Sequence, residues 1–242
     1  MNKKKVLIDN NEYLIHSLDY VQSISTVDSS IYNDDYIQTL HDSAKTTRLN
    51  EIRLSFLVDS GLLSDKFEYS RIVTDVGYGN GAFLEHFVRE RKNFPRYVFL
   101  RGYDISYLHG VDPYRGRELL QYVGIQHNLE SYNYDIITMF DVLEHVDNPK
   151  QFILDTSANA YVITIPLFHS EWIENWEMFK NWKHRKPGEH FHFWSENGLD
   201  SLFESCGYER IFQSYAENEI RATTQPNYPT KNVYTGIFQK KS

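Results

Sequence analysis

The stretch Arg71-Ile72-Val73-Thr74-Asp75-Val76-Gly77-Tyr78-Gly79-Asn80-Gly81 decides how this chain is read. An apolar run ends in an acid, three glycines follow at alternate positions, and Ala82-Phe83-Leu84-Glu85-His86-Phe87-Val88 continues with helical spacing. That order predicts strand, turn, helix. A glycine-rich turn lets a ligand approach the backbone closely, and it aims the helix N-terminus at that ligand. Asp75 falls at the C-terminal end of the strand, where its carboxylate can accept hydrogen bonds from an amine or a hydroxyl.

The glycines alone leave two ligand classes open. Gly77-x-Gly79-x-x-Ala82 fits a dinucleotide fingerprint, and Asp104 lies about 20 residues beyond the turn, where a ribose-binding acid belongs. The acid-x-Gly-x-Gly-x-Gly pattern equally resembles motif I of the class I S-adenosylmethionine-dependent methyltransferases. A third reading is a tight strand–helix turn with no ligand. The rest of the chain has to decide.

Outward from the turn, strands and helices alternate. Tyr97–Tyr103 reads as a second strand ending at Asp104, and Pro113 opens a helix running to Tyr122. A short strand near Gly124–His127, a longer one over Tyr134–Phe140, a helix from Asn148-Pro149 and a fifth strand over Ala160–Ile165 follow. A helix from Ser195 to Cys206-Gly207 precedes two late strands, Glu209–Tyr215 and Val233–Gln239, separated by a loop at 223–232. Near-continuous apolar strands between helices imply a parallel sheet covered on both faces, and two terminal strands without a helix between them imply an antiparallel edge. Residues 1–66 read as an N-terminal cap and 67–242 as the core. The cap has a hairpin of Val6-Leu7-Ile8 and Tyr13-Leu14-Ile15 around Asp9-Asn10-Asn11. It continues with helical period over 34–60, where Leu49, Ile52, Phe56 and Leu57 make an apolar face.

Composition narrows the classes. A chain of 242 residues with 41% apolar content can build one large α/β domain. A net charge of −8 argues against a broad nucleic-acid-binding surface. One cysteine, Cys206, excludes an internal disulfide and a cysteine-rich zinc site. No segment has the apolar length to span a bilayer, and Asp9 to Glu12 interrupt the start of what would be a signal peptide, so the default location is cytoplasmic.

Four segments together resemble the class I S-adenosylmethionine (SAM)-dependent methyltransferases: the glycine turn, Tyr134–Asn148 (YDIITMFDVLEHVDN), the run Gly188-Glu189-His190-Phe191-His192-Phe193-Trp194-Ser195 with Leu199, Leu202-Phe203 and Gly207-Tyr208, and Leu49-Asn50-Glu51-Ile52-Arg53-Leu54. The last is similar to a segment of the ubiquinone-pathway O-methyltransferases. The resemblance implies a doubly wound, Rossmann-like, mostly parallel seven-stranded sheet with an antiparallel last strand, joined here to a mainly helical N-terminal cap. It implies that Asp75, Gly77, Gly79 and Gly81 surround the methionine part of SAM. Asp104 would bind the ribose, with Ile105 flanking the adenine and Asn128-Leu129 contacting it. Phe140 and Asp141 would border the sulfonium, and Arg53 would pair with the SAM carboxylate. Tyr78 departs from the small residue usual in that turn, and its side chain is expected to point away from the cofactor.

Asp141-x-x-Glu144-His145 also resembles the E-x-x-E-H of those O-methyltransferases and of the small-RNA 2′-O-methyltransferases, where a later histidine completes a divalent-metal site. His190 falls at the matching place. Three roles remain open for these residues: metal ligands, a metal-free base at His145 or His190, or structural supports. We take forward Asp141, His145 and His190 as catalytic candidates and SAM as the cofactor, and assign no metal. Residues 167–194 hold all four tryptophans, with Trp172, Trp176 and Phe179 at helical spacing, followed by Lys180, Lys183, His184, Arg185 and Lys186. This insertion reads either as a lid over an acceptor pocket or as packing against the cap or a partner subunit.

The function this reading supports is methyl transfer to an oxygen of a small-molecule or carbohydrate-like acceptor. Nitrogen or carbon methylation and a non-catalytic SAM-binding scaffold stand as alternatives. Neither a membrane nor a nucleic-acid partner is expected. The oligomeric state is open, a homodimer included.

Overall fold

A computed structural model of the chain describes residues 3–25, 44–63, 71–93, 98–105, 121–126, 128–129, 134–221 and 231–241. The expected helix after Pro113 lies outside these residues, as does most of the expected loop at 223–232. By compactness the chain forms two units, one of Met1–Ser29, Asp141–Leu154 and Ile163–Ser242, the other of Ser30–Phe140 and Asp155–Val162.

The second unit carries β4 (Arg71–Val76), β5 (Val98–Tyr103), β6 (Gly124–Gln126) and β7 (Ile136–Phe140), with helices α1 (Ala44–Asp59) and α2 (Ala82–Arg89). β4 lies parallel to β5 on one side and to β7 on the other, and β5 is parallel to β6. Every residue of β7 is buried. A strand covered on both faces needs such an unbroken apolar run rather than alternation. α1 buries Phe56 and Leu57 of the expected face, together with Asn50 and Leu54, while Leu49 and Ile52 are only partly buried. Asn50, Leu54 and Leu57 are spaced i, i+4, i+7, so a polar Asn50 belongs to the inward stripe.

With β8 (Ala160–Pro166), which follows helix α3 (Pro149–Thr156), β10 (Tyr208–Ser214) and β11 (Val233–Lys240), these strands form a seven-stranded sheet in the order β10-β11-β8-β7-β4-β5-β6. The β10–β11 pair is antiparallel, as the sequence led us to expect.

The first unit also holds a four-stranded sheet that the sequence did not suggest. β1 (Lys4–Ile8) and β2 (Asn11–Ser17) form the expected hairpin. Its turn is only Asp9-Asn10, both at positive φ (47° and 63°), a two-residue hairpin turn that Asp and Asn tolerate well. β2 continues into β3 (Tyr20–Ser23), and β3 pairs antiparallel with the distant β9 (His192–Trp194). The described part of 1–66 therefore does not form a mainly helical cap. Residues 4–23 are strands, and α1 is the helix.

Packed on this sheet is an aromatic core of Tyr13, Phe168, Trp172, Phe179, Trp182 and Phe193, with Ile8 and Val21. Phe179 is the hub. Its ring meets Tyr13 edge-on at 5.4 Å, Phe193 at 5.1 Å and Phe168 at 5.6 Å. Trp172 and Phe179 do not share one helix. A 3₁₀ turn over Ser170–Ile173 ends before α4 (Trp176–Lys180), which Asn175 restarts by accepting a hydrogen bond from the Glu177 amide.

Candidate functional site

Within the second unit, β4 delivers Asp75 to its C-terminal end, and β5 does the same for Asp104 one strand over. Both acids are buried. Gly77, Gly79 and Gly81 all have positive φ (70°, 57° and 76°). A side chain at any of the three would be strained, which is the physical reason for glycine at alternate positions here. The Gly77 amide donates to the Tyr103 carbonyl at 2.7 Å, and the Gly79 amide donates to Asp104 Oδ2 at 2.8 Å. Asp104 thus pins the turn that follows Asp75. Gly81 begins α2. Tyr78 is buried, and a methyl on Gly102 would meet its ring at 2.9 Å, so the Tyr78 ring packs against β5.

Asp75 is 3% exposed and accepts a 2.6 Å hydrogen bond from Thr138 Oγ1 on β7. Burial pushes its carboxyl up to about 7, against the opposing pull of the Thr138 hydrogen bond and of Arg53. The Arg53 guanidinium lies over the Phe140 ring at 4.5 Å. Arg53, Asp75, Asp104, Phe140 and the glycine turn thus converge in one unit. Ile105 is half-exposed beside Asp104. Asn128 is exposed, and the Leu129 carbonyl accepts from Tyr134 Oη at 3.1 Å.

The first unit brings a second group together. Asp141 has positive φ (59°), and its carboxylate is held from both oxygens by Arg221, at 2.8 and 2.6 Å. Arg221 also reaches Glu217 Oε2 at 2.7 Å. Burial opposes the charge on Arg221, yet Asp141 and Glu217 together raise its pKa above the usual arginine value. A 3₁₀ turn, Leu143–His145, then sets Glu144 and His145 beside His190. The His145 and His190 rings meet edge-on at 4.5 Å. His145 Nδ1 lies 2.8 Å from the Glu189 carbonyl, which accepts its proton and fixes the tautomer. Burial lowers the pKa of His145, and burial with the neighbouring His145 and Lys186 lowers that of His190, which favours the neutral form of both rings.

Sequence reasoning missed Thr138, Glu189 and Arg221. Thr138 did leave a signal, since one hydroxyl inside Ile136-Ile137-Thr138-Met139-Phe140 needs a partner. Arg221 left none. The insertion's aromatics are core, and its cations already have partners: Lys180 and Arg185 pair with Asp9, Lys186 with Glu189, and Lys183 donates to the Arg221 carbonyl.

The methyltransferase-domain family model matches residues 24–212. Among solved structures, the chain resembles magnesium protoporphyrin IX methyltransferase from Synechocystis PCC 6803, solved with S-adenosylhomocysteine bound, at 13% identity and TM-score 0.54, covering 81% of this chain and 84% of that one. It also resembles an O-methyltransferase family protein from Burkholderia thailandensis, at 13% identity and TM-score 0.53, covering 94% and 66%. The CurJ carbon methyltransferase is similar at 14% identity and TM-score 0.52, covering 85% and 57%. No curated protein matches the chain by sequence. Among the described residues no helix is long and apolar enough to cross a membrane. At these identities the likeness to solved structures is one of fold, and the family match spans most of the sequence: the chain belongs to the methyltransferase-domain family and has the class I SAM-dependent methyltransferase fold.

Proposed function

We propose that the protein transfers a methyl group from SAM to an oxygen of a small-molecule or carbohydrate-like acceptor. One observation carries this reading: two buried acids end adjacent parallel strands, on either side of a turn whose three glycines all have positive φ. Asp75 would take the ammonium of the methionine tail, and Arg53 its carboxylate. Asp104 would accept both ribose hydroxyls, while Ile105, Asn128 and Leu129 would flank the adenine. SAM supplies an electrophilic methyl on a sulfonium, and transfer leaves a neutral thioether.

An acceptor hydroxyl must lose its proton as the new C–O bond forms. Asp141 is engaged by Arg221, which makes it a poor proton acceptor. We therefore assign the proton-handling role to the His145–His190 pair. Of the two, His145 is the one whose ring is oriented by a backbone carbonyl, that of Glu189.

The test is calorimetric titration with S-adenosylhomocysteine, for the protein and for Asp104→Ala, followed by acceptor screening with isotope-labelled SAM. Binding lost in Asp104→Ala, with label on an acceptor oxygen, is expected. A folded protein that does not bind S-adenosylhomocysteine would sink the reading. Label on nitrogen or carbon would sink only the oxygen assignment.

A further inference from the structure

The run from Lys180 to Lys186 holds five basic side chains, and four of them are held by partners. Lys180 and Arg185 pair with Asp9, Lys186 pairs with Glu189, and Lys183 donates to the Arg221 carbonyl. His184 is different. Its Nε2 is buried and has no hydrogen-bond partner on a described residue. Burial, with Lys183 beside it, pushes its pKa down to about 3, which favours the neutral ring. Two more polar atoms of the first unit share this condition. Arg221 spends both terminal nitrogens on Asp141 and Glu217, and its Nε–H is left buried and unpaired. His190 Nδ1 is likewise buried and unpaired. A polar atom in that state costs free energy unless something outside the chain completes it.

The chain places these three side chains in one neighbourhood. Lys183 Nζ reaches the Arg221 carbonyl at 2.9 Å, and the Lys186 carbonyl accepts the Glu189 amide at 3.0 Å and the His190 amide at 2.9 Å. His184 therefore lies on a short link between Arg221 and His190. Asp141 and Lys186 act electrostatically on both imidazoles, and His184 acts on His190. Charge narrows what can complete the three atoms. Arg221 is matched by Asp141 and Glu217, Lys186 is matched by Glu189, and Glu144 is a further buried acid beside them. An anionic group would meet more acid than cation here. An apolar ring would leave all three polar atoms unpaired. A hydroxyl suits them, because it donates and accepts at once. It can answer the fixed Arg221 Nε–H donor and a neutral imidazole nitrogen in either tautomer.

We propose that the acceptor is a neutral polyol with hydroxyls on adjacent carbons, one held by His184 Nε2 and Arg221 Nε–H, its neighbour presented to His190 Nδ1. This inference deepens the methyl-transfer reading and rests on it. The hydroxyl at His190 is the one methylated. Its oxygen forms the new C–O bond as the sulfonium S–CH₃ bond breaks, and its proton passes to the histidine pair, which leaves a methyl ether and S-adenosylhomocysteine. The hydroxyl at His184 is not consumed. It fixes which oxygen faces the methyl group, so His184 determines specificity. A site built to hydrogen-bond a hydroxyl rejects an analogue that lacks it, because the buried atoms of the site are then left unpaired.

The test offers the full chain isotope-labelled SAM with four acceptor sets: methyl hexopyranosides and inositols, their monodeoxy counterparts, hexose phosphates, and simple phenols. Label is expected on the neutral polyols. For the best of them, kcat/KM should fall ~10–100-fold in His184→Phe, the cost of leaving one hydroxyl without its partner. The deciding readout is the ratio of kcat/KM for that polyol to kcat/KM for the analogue lacking the adjacent hydroxyl. The ratio should be large in the parent and collapse toward one in His184→Phe, whereas a structural lesion lowers both substrates alike. S-adenosylhomocysteine titration of the variant reports whether it is folded. Label confined to the phosphates or phenols overturns the polyol assignment and leaves methyl transfer standing. No label on any set, in a protein that binds S-adenosylhomocysteine, does the same. A ratio unchanged in His184→Phe overturns the role of His184 and means that water completes these atoms. A folded protein that does not bind S-adenosylhomocysteine overturns the methyl-transfer reading itself.

Discussion

Arg221 grips Asp141 with both of its terminal nitrogens, Nη1 to Oδ1 and Nη2 to Oδ2, across a sequence separation of 80 residues. The same guanidinium meets Glu217, whose side chain is only 2% exposed. Removing the cation takes the counter-charge away from a buried carboxylate. Arg221→Gln should therefore cost ~3–5 kcal/mol in urea unfolding, the range for breaking one side of a buried pair. Arg221→Lys should recover only part of it, because a point charge cannot reproduce the two-pronged geometry. A loss below ~1 kcal/mol in Arg221→Gln would show that the triad is superficial.

With Asp75 as the proposed partner of the ammonium of the methionine tail, cofactor binding should depend on pH. Its pKa is raised from 3.8 to about 7 by burial, so the protonated form is favoured in the folded protein. Its contribution to stability is fully present below the unfolded value of 3.8 and is lost as pH rises through about 7. An ammonium ligand reverses the preference, since it needs the carboxylate ionised. Near pH 6, binding of S-adenosylhomocysteine should release close to one proton, and affinity should rise ~tenfold per pH unit until it flattens above about 7. Calorimetry in two buffers of different ionisation enthalpy measures the proton. Equal heats in both would rule out Asp75 as the ammonium partner, and Asp75→Asn should abolish the difference.

The aromatic insertion behaves as core. Phe179→Ala should cost ~3–5 kcal/mol in equilibrium unfolding, as deletion of a buried ring does. Lys180→Ala, which loses only a half-exposed ion pair with Asp9, should change stability by less than ~1 kcal/mol. Intact stability with lost turnover in Phe179→Ala would instead identify the ring as a pocket wall.

Gly198 sits in the first turn of α5 (Glu196–Glu204), beneath the β2–β3 turn. A methyl there would lie 2.1 Å from the Asp19 carbonyl oxygen. Backbone cannot yield as a side-chain tip can, so Gly198→Ala should lower stability by ~1–3 kcal/mol despite alanine's better helix propensity. The Asp19 carboxylate also accepts a 2.6 Å hydrogen bond from Ser195 Oγ, which caps the same helix. A melting temperature equal to the parent's would mean that the turn moves freely.

What the sequence revealed was chiefly local. β4, the glycine turn and α2 were legible because alternate glycines after an acid-ending apolar run have few other conformations. The parallel sheet followed from unbroken apolar strands such as Ile136–Phe140. Relationships across long separations were not legible. Nothing in Tyr20-Val21-Gln22 announces His192-Phe193-Trp194 as its partner, and nothing near Arg221 announces Asp141. Period alone also misled: Trp172 and Phe179 have helical spacing, yet Asn175 interrupts the helix between them. His145 and His190 could be paired beforehand only through a family resemblance. The burial of the Glu144 carboxylate beside that pair is visible only in the packed structure.

The pairing of β3 with β9 also bears on how the chain is made. Tyr20 and His192 are 172 residues apart, and their side chains are joined by a 2.7 Å hydrogen bond. At ~5–20 residues per second on the ribosome, the nascent β3 edge waits roughly 10–30 s for its partner strand to be synthesised. During that interval the hairpin exposes unpaired backbone and the apolar side of Tyr13 and Val21. An unshielded edge of this kind invites pairing with neighbouring nascent chains. Yield in a cell should therefore depend on translation speed and chaperone supply more steeply than the stability of the finished protein would suggest.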